Sequence, residues 1–418
     1  MFSTKFKYLA KSIGSFDILI ISALIWFLGK FLRYVFPPLF ELLQGTYAVS
    51  TTALGWTFSI FLFTYALVQF PSGLLSDRFG GVWVIVGGVT LSSLGALIFI
   101  LNLPFNLFVV LMAILGIGTG VHKTSAVKLL STIYPEKKGR ALGVFDTFGT
   151  FGGVIAPVAV IAAAAVSVSV PGWRLLLFST GAFGLFLTFI FIKRVPNKLT
   201  EKEKAKTNNN DINSDDRSLV FRLKSAFSVY GKLFESKKFI IFVIAAILFS
   251  FTYNGIVAFL PLYLTQKVGV SSGYASLFYS ILFIASVAQL ASGELSDRIG
   301  TLPVMSGALT LCTLSFVVFM MSTNSGLVFL GISVLCIGLG AHSFRPVRGA
   351  YLMGSLPDNI SAGGLGIVRT LLMGSGAISP GIVGTVSGFA SFRIAFWMLA
   401  TSVGMATLSV ILLNFVKK

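Results

Sequence analysis

The chain has 418 residues, of which 55% are hydrophobic and only 11% charged, with 41 Phe and a formal net charge of +18. A water-soluble globule of that composition could not cover its own apolar surface, so an ordinary soluble enzyme or binding domain is excluded and a bilayer is implied. The two cysteines, Cys312 and Cys336, both fall inside apolar runs, which excludes a disulfide framework.

In chain order, apolar runs long enough to cross about 30 Å of hydrocarbon as helices are predicted at 16–38, 50–74, 82–101, 105–131, 139–165 and 174–195. The first follows Lys5, Lys7 and Lys11 but has no small-residue cleavage site and carries Lys30, Arg33, Pro37 and Pro38, so it reads as a retained helix rather than a secretory leader. A polar stretch, 196–237, comes next. Its first part, 197–216, is polar and almost without large apolar groups, whereas 217–238 repeats Leu219, Leu223, Phe227, Tyr230 and Phe234 at helical spacing among Arg and Lys. That second part reads as an amphipathic helix on the cytoplasmic leaflet. Six further runs are predicted at 238–262, 272–294, 302–322, 326–353, 361–388 and 392–415. The expected fold class is an all-α integral membrane protein with twelve transmembrane helices.

Short cytoplasmic loops retain Lys and Arg during insertion. With the N-terminus inside, 22 of the 32 basic residues lie on the cytoplasmic side and only Arg174, Lys267 and Arg393 outside. Both termini are therefore expected in the cytoplasm of a multi-pass protein of the cell membrane. The positive charge is topology signal, and nucleic-acid binding is not expected.

The strongest pattern is an internal repeat. "GLLSDRFG" from Gly73 and "GELSDRIG" from Gly293 stand 220 residues apart. The same offset pairs Gly118, Gly120, His122 and Lys128 with Gly338, Gly340, His342 and Arg348. The chain thus reads as two pseudo-symmetric six-helix bundles, 1–195 and 238–418, joined by a linker at 196–237, a layout shared by many secondary transporters.

On these residues the whole chain resembles the major facilitator superfamily. The family's Gly-x-Leu-x-Asp-Arg-x-Gly loop signature is matched at Gly73, Leu75 (one place late), Asp77, Arg78 and Gly80, and again at Gly293, Leu295, Asp297, Arg298 and Gly300. Family members usually continue with further basic residues, where this chain has Gly81-Val82-Trp83 and Thr301-Leu302-Pro303. The resemblance implies a gating role for Gly73, Asp77, Arg78, Gly80, Gly293, Asp297, Arg298 and Gly300. It also implies a central cavity lined by the first, fourth, seventh and tenth helices.

Seven cations fall inside the spans: Lys30, Arg33, Lys123, Lys128, Arg345, Arg348 and Arg369; the one acid well inside a span is Asp146. Facing lipid, the seven would cost about 17–25 kcal/mol, more than a fold is usually worth. None lies on the third, sixth, ninth or twelfth helix, which in this family face outward. The expected binding residues for a solute are Lys30, His122, Lys123, His342, Arg345 and Arg369. Such a set with little acid suits a small anion of carboxylate, phosphate or phosphonate type, because Arg grips two oxygens at once and Lys adds a compact charge. Lys123 has a structural alternative, an ion pair with Asp146. His122, His342 and Asp146 are the candidates for carrying a coupling proton.

No P-loop, metal-ligand spacing or nucleophile–base pair is found, so an enzyme is not expected, nor any cofactor. The expected function is alternating-access transport of a small anion by a monomer, coupled to protons or a counter-anion. Lys30 precedes Pro38 by eight residues, similar to the arginine–proline spacing of the organophosphate antiporters. "GIGTGVHKTSAVK" and "PEKKGRALGVF" resemble the fosmidomycin-resistance exporters, so proton-driven drug export is the alternative. A non-transporting membrane sensor is a third.

Overall fold

A computed structural model describes residues 2–166, 169–195, 232–322, 324–355 and 361–416, without the side chains of 2–16, 70, 74, 77, 232, 233 and 361–367. The linker 196–231, with most of its expected amphipathic helix, lies outside the described residues. The described residues form helices throughout: α1 Phe2–Tyr34, α2 Phe36–Tyr47, α3 Thr51–Phe79, α4 Gly81–Ile98, α5 Phe105–Ile133, α6 Lys138–Ala164 and α7 Gly172–Arg194. After a short turn at Lys232–Glu235 come α8 Lys237–Tyr263, α9 Ser272–Ile284, α10 Ala288–Ile299, α11 Thr301–Met321, α12 Leu327–Ser355, α13 Ser361–Phe389 and α14 Phe392–Leu412. Among them eleven spans are long and apolar enough to cross a membrane, and Asp17–Tyr34 with Phe36–Tyr47, bent by 41°, make a twelfth.

Local chemistry sets these boundaries. Pro37 and Pro38 lack the N–H groups that would bond the carbonyls of Arg33 and Tyr34, and their rings crowd the preceding turn, so the first span breaks at Val35. Ser236 and Ser391 cap α8 and α14 by accepting the N–H groups of Phe239 and Ile394 at 3.4 and 3.2 Å. Gly80 and Gly300 have φ of 83° and 94°, a region that L side chains rarely adopt, and each is the whole connection between two helices. The repeated motif differs here from the expected loop: Asp77, Arg78, Asp297 and Arg298 lie in the last turns of α3 and α10, with a single glycine as the turn.

The helices form two compact units, Met1–Phe36 with Thr64–Ser214, and Pro37–Phe63 with Asp215–Lys418. In the first, α1 packs on α6 and α7, and α4 on α5 and α7. In the second, α8 packs on α13 and α14, and α11 on α12 and α14, so the pairing repeats as the sequence does. Pro37–Phe63 belongs to the second unit by its contacts. The Phe40 ring lies 5.5 Å from Phe259, and Gln266 donates to Gln44 at 2.7 Å. Ser59 accepts the Gly381 N–H at 2.8 Å. Phe186 and Phe189 on α7, Leu314 on α11 and Leu408 on α14 stay exposed, an apolar surface suited to lipid.

Candidate functional site

In the first unit the site begins with a close helix approach. A Cβ on Gly152 would lie 2.6 Å from the Phe27 carbonyl and 2.9 Å from Lys30 Cβ, and one on Gly149 would collide with the Trp26 indole. The glycines of α6 therefore let α1 approach closely enough for Trp26 to stack on Phe145, with ring centroids 5.6 Å apart and planes 11° apart. Lys30, one turn after Trp26, carries its Nζ 4.8 Å from the indole centroid, and Lys123 of α5 carries its Nζ 5.3 Å from the same ring. Lys123 Nζ also lies 3.3 Å from Asp146 Oδ1. One buried ring, two ammonium groups and one carboxylate thus meet at the junction of α1, α5 and α6.

Side-chain exposures of 31% for Lys123 and 58% for Asp146 bear on what the pair can do. A carboxylate facing hydrocarbon would be heavily penalised, so exposure of this size favours an aqueous face for Asp146 over a lipid one. An accessible pair of this kind contributes about 0–1 kcal/mol, which makes it weak glue and easy to exchange.

His122, beside Lys123, is enclosed. Its ring lies 6.1 Å from Trp26 and 5.8 Å from Phe145, and Nε2 stands 3.1 Å from the Ser22 carbonyl. Only an N–H can bond a carbonyl, so the proton sits on Nε2 and the imidazole ties α5 to α1.

The second unit has its own cationic set on α12. His342 is buried, meets Tyr253 edge-on at 5.7 Å and lies 3.3 Å from the Gln289 amide nitrogen through Nδ1. With that amide donating, Nδ1 accepts and the proton again sits on Nε2. The Arg345 guanidinium lies 5.2 Å from the Tyr253 centroid, so His342 and Arg345, three residues apart, meet the same ring. Arg348 lies 5.9 Å from both Phe249 and Phe344. Arg369 is exposed on α13.

Of the motif residues, Arg78 lies over Phe79 at 5.5 Å, and Arg298 pairs with Glu294 one turn earlier. Asp297 is exposed, and the side chain of Asp77 lies outside the described residues. Sequence reasoning missed Trp26 as part of the cationic cluster. The available signal was its position four residues before Lys30, which puts an aromatic face and an ammonium on one side of a helix.

A family model described as Major Facilitator Superfamily matches residues 19–336 and 264–418. A probable sulfoacetate transporter of Cupriavidus necator is 25% identical over 95% of this chain and 93% of its own length. A putative proline/betaine transporter of Staphylococcus haemolyticus is 26% identical over 75% of this chain and 70% of its own. The crystal structure of a bacterial homologue of the human lysosomal transporter Spinster, inward-facing and occupied, superposes with a TM-score of 0.77 at 16% identity, covering 95% of this chain and 96% of that one.

Proposed function

Because the chain belongs to the major facilitator superfamily, we propose that this multi-pass membrane transporter moves a small organic anion of carboxylate, sulfonate or phosphonate type by alternating access. Lys30 and Lys123 are the anion ligands of the first unit, and Arg345 and Arg369 those of the second. The observation that carries this reading is the meeting of Lys30 and Lys123 over Trp26, with the exposed Asp146 carboxylate against Lys123. The relative named as a probable sulfoacetate transporter supports the same class. Both termini lie in the cytoplasm of the cell membrane, a reading supported by the distribution of Lys and Arg.

A zwitterionic solute is the second reading, suggested by the relative named as a putative proline/betaine transporter. It needs an aromatic face for a quaternary ammonium, and in this chain the Trp26 and Tyr253 faces already carry Lys30, Lys123 and Arg345. Proteoliposome uptake separates the two. Saturable uptake of sulfoacetate or D-glucuronate, with none of glycine betaine, is the expected result; uptake of betaine alone contradicts the anion reading.

A further inference from the structure

Within the second unit, α9 and α12 touch closely at one level and part at another. A Cβ on Gly338 of α12 would lie 2.8 Å from the Leu282 carbonyl of α9, so the two backbones are in contact there. Two turns earlier, a Cβ on Gly331 would meet the Phe278 ring at 3.0 Å rather than backbone. The helices therefore splay toward their first turns, and an open groove of about 480 Å³ lies between them, a size that holds small molecules elsewhere. Phe278, Ile281 and Ile284 form one wall and Val328, Ile332 and Leu335 the other, with no charged side chain among the described residues of the lining.

At the open end the chemistry changes. Tyr274 and Leu327, at the starts of the two helices, also line a second cavity of about 510 Å³ together with Val268, Ser271 and Asn324. Lys267, beside Val268, is exposed, and Glu41 of α2 accepts the Ser272 hydroxyl at 2.8 Å. The ends of spans lie near a membrane surface, so an apolar slot runs into the bilayer from a polar mouth. Leu327 to Leu335 covers about 12 Å at 1.5 Å per residue, within the roughly 15 Å that one leaflet contributes to the hydrocarbon core.

We infer that this groove binds one glycerophospholipid, with an acyl chain between α9 and α12 and the phosphate at the mouth beside Lys267. The site goes beyond the transported solute: none of Lys30, His122, Lys123, His342, Arg345 and Arg369 lines it. Hydrocarbon walls at this depth suit a lipid chain, because the bilayer core has no water to carry a polar ligand there. A helix of a second copy would also cover the walls but would leave the Lys267 ammonium unmatched, whereas a phosphate meets it as a charged hydrogen-bond partner. With Glu41 close to the same end, a zwitterionic headgroup fits the mouth better than an anionic one.

The test uses the full chain purified in detergent and phosphatidylethanolamine carrying a photoreactive diazirine in one acyl chain. Crosslinks should concentrate on residues 278–284 and 328–335. Unlabelled phosphatidylethanolamine should displace the probe about fivefold better than the diacylglycerol of the same chains, the size of effect one basic residue has at a membrane surface. Lys267→Gln should remove that difference. Val328→Trp, at a position 78% exposed and so free of packing constraints, fills the groove from its rim and should abolish the crosslinks. Gly331→Leu fills it from the floor and should do the same. Crosslinks spread evenly over α7, α11 and α14, or unchanged in Val328→Trp, mean ordinary lipid contact and overturn the site. Equal displacement by the two lipids overturns the place of the phosphate. A wild-type dimer that Val328→Trp converts to monomer assigns the groove to a second copy and overturns the inference as well.

Discussion

Gly149 of α6 lies so close to Trp26 of α1 that any side chain at 149 would meet the indole. That approach sets the ring on Phe145 and under Lys30 and Lys123. Gly149→Ala is therefore expected to cost about 1–3 kcal/mol by overpacking and to weaken anion binding as Trp26 shifts. Thermal unfolding in detergent, with and without the anion, measures both effects.

Trp26 itself does two jobs that different substitutions separate. Trp26→Ala removes a fully buried ring and should cost about 3–5 kcal/mol. Trp26→Phe keeps a ring to stack on Phe145 but offers the two ammonium groups a weaker face. It should fold with nearly the original thermal stability and show altered anion affinity. Equal loss of stability and binding in both variants would mean that the ring only packs.

The single-residue turns at Gly80 and Gly300 depend on positive φ. Gly80→Ala and Gly300→Ala should each cost about 1–3 kcal/mol through backbone strain alone. A turn that serves gating would in addition change transport rate at unchanged binding affinity, a split that uptake kinetics and equilibrium binding resolve together.

Lys30 and Lys123 are not expected to behave alike. Lys123 meets an acid as well as the shared ring, with its Nζ 3.3 Å from Asp146 Oδ1 and 5.3 Å from the Trp26 centroid. Lys30→Ala should lower anion affinity. Lys123→Ala should lower it less, since in the wild type the Asp146 carboxylate competes with the solute for that ammonium. Anion titrations of the two variants beside the wild type give the comparison.

Much of the architecture was legible in the sequence because lipid imposes a single rule: about twenty apolar residues per crossing. The spans 105–131 and 272–294 correspond to α5 at Phe105–Ile133 and to α9 with α10 between Ser272 and Ile299. What could not be read were changes within a helix. The first expected span ran through Pro37 and Pro38, whereas the chain breaks at Val35 and continues as α2. The turn of wider radius at Leu264–Val268 and the tighter one at Ala285–Val287 leave no mark in hydropathy. The cationic residues were legible as charges that lipid would reject, and the Lys123–Asp146 pair as an alternative raised by the short turn between α5 and α6. The place of Trp26 was not, because an indole in an apolar run has the same composition whether it packs against lipid, against Phe145 or under an ammonium.

The central claim, that the cations hold an anion, is tested most directly by thermal unfolding of the purified chain in matched series of solutes. The series pairs carboxylates, sulfonates and phosphonates with neutral and cationic analogues of the same size. Stabilisation by one anionic series in the wild type, lost in Arg345→Ala and in Lys30→Ala, is the predicted result. Stabilisation only by neutral or cationic lipophiles, unchanged in those variants, would contradict the account and make the intramembrane cations structural partners in a drug exporter.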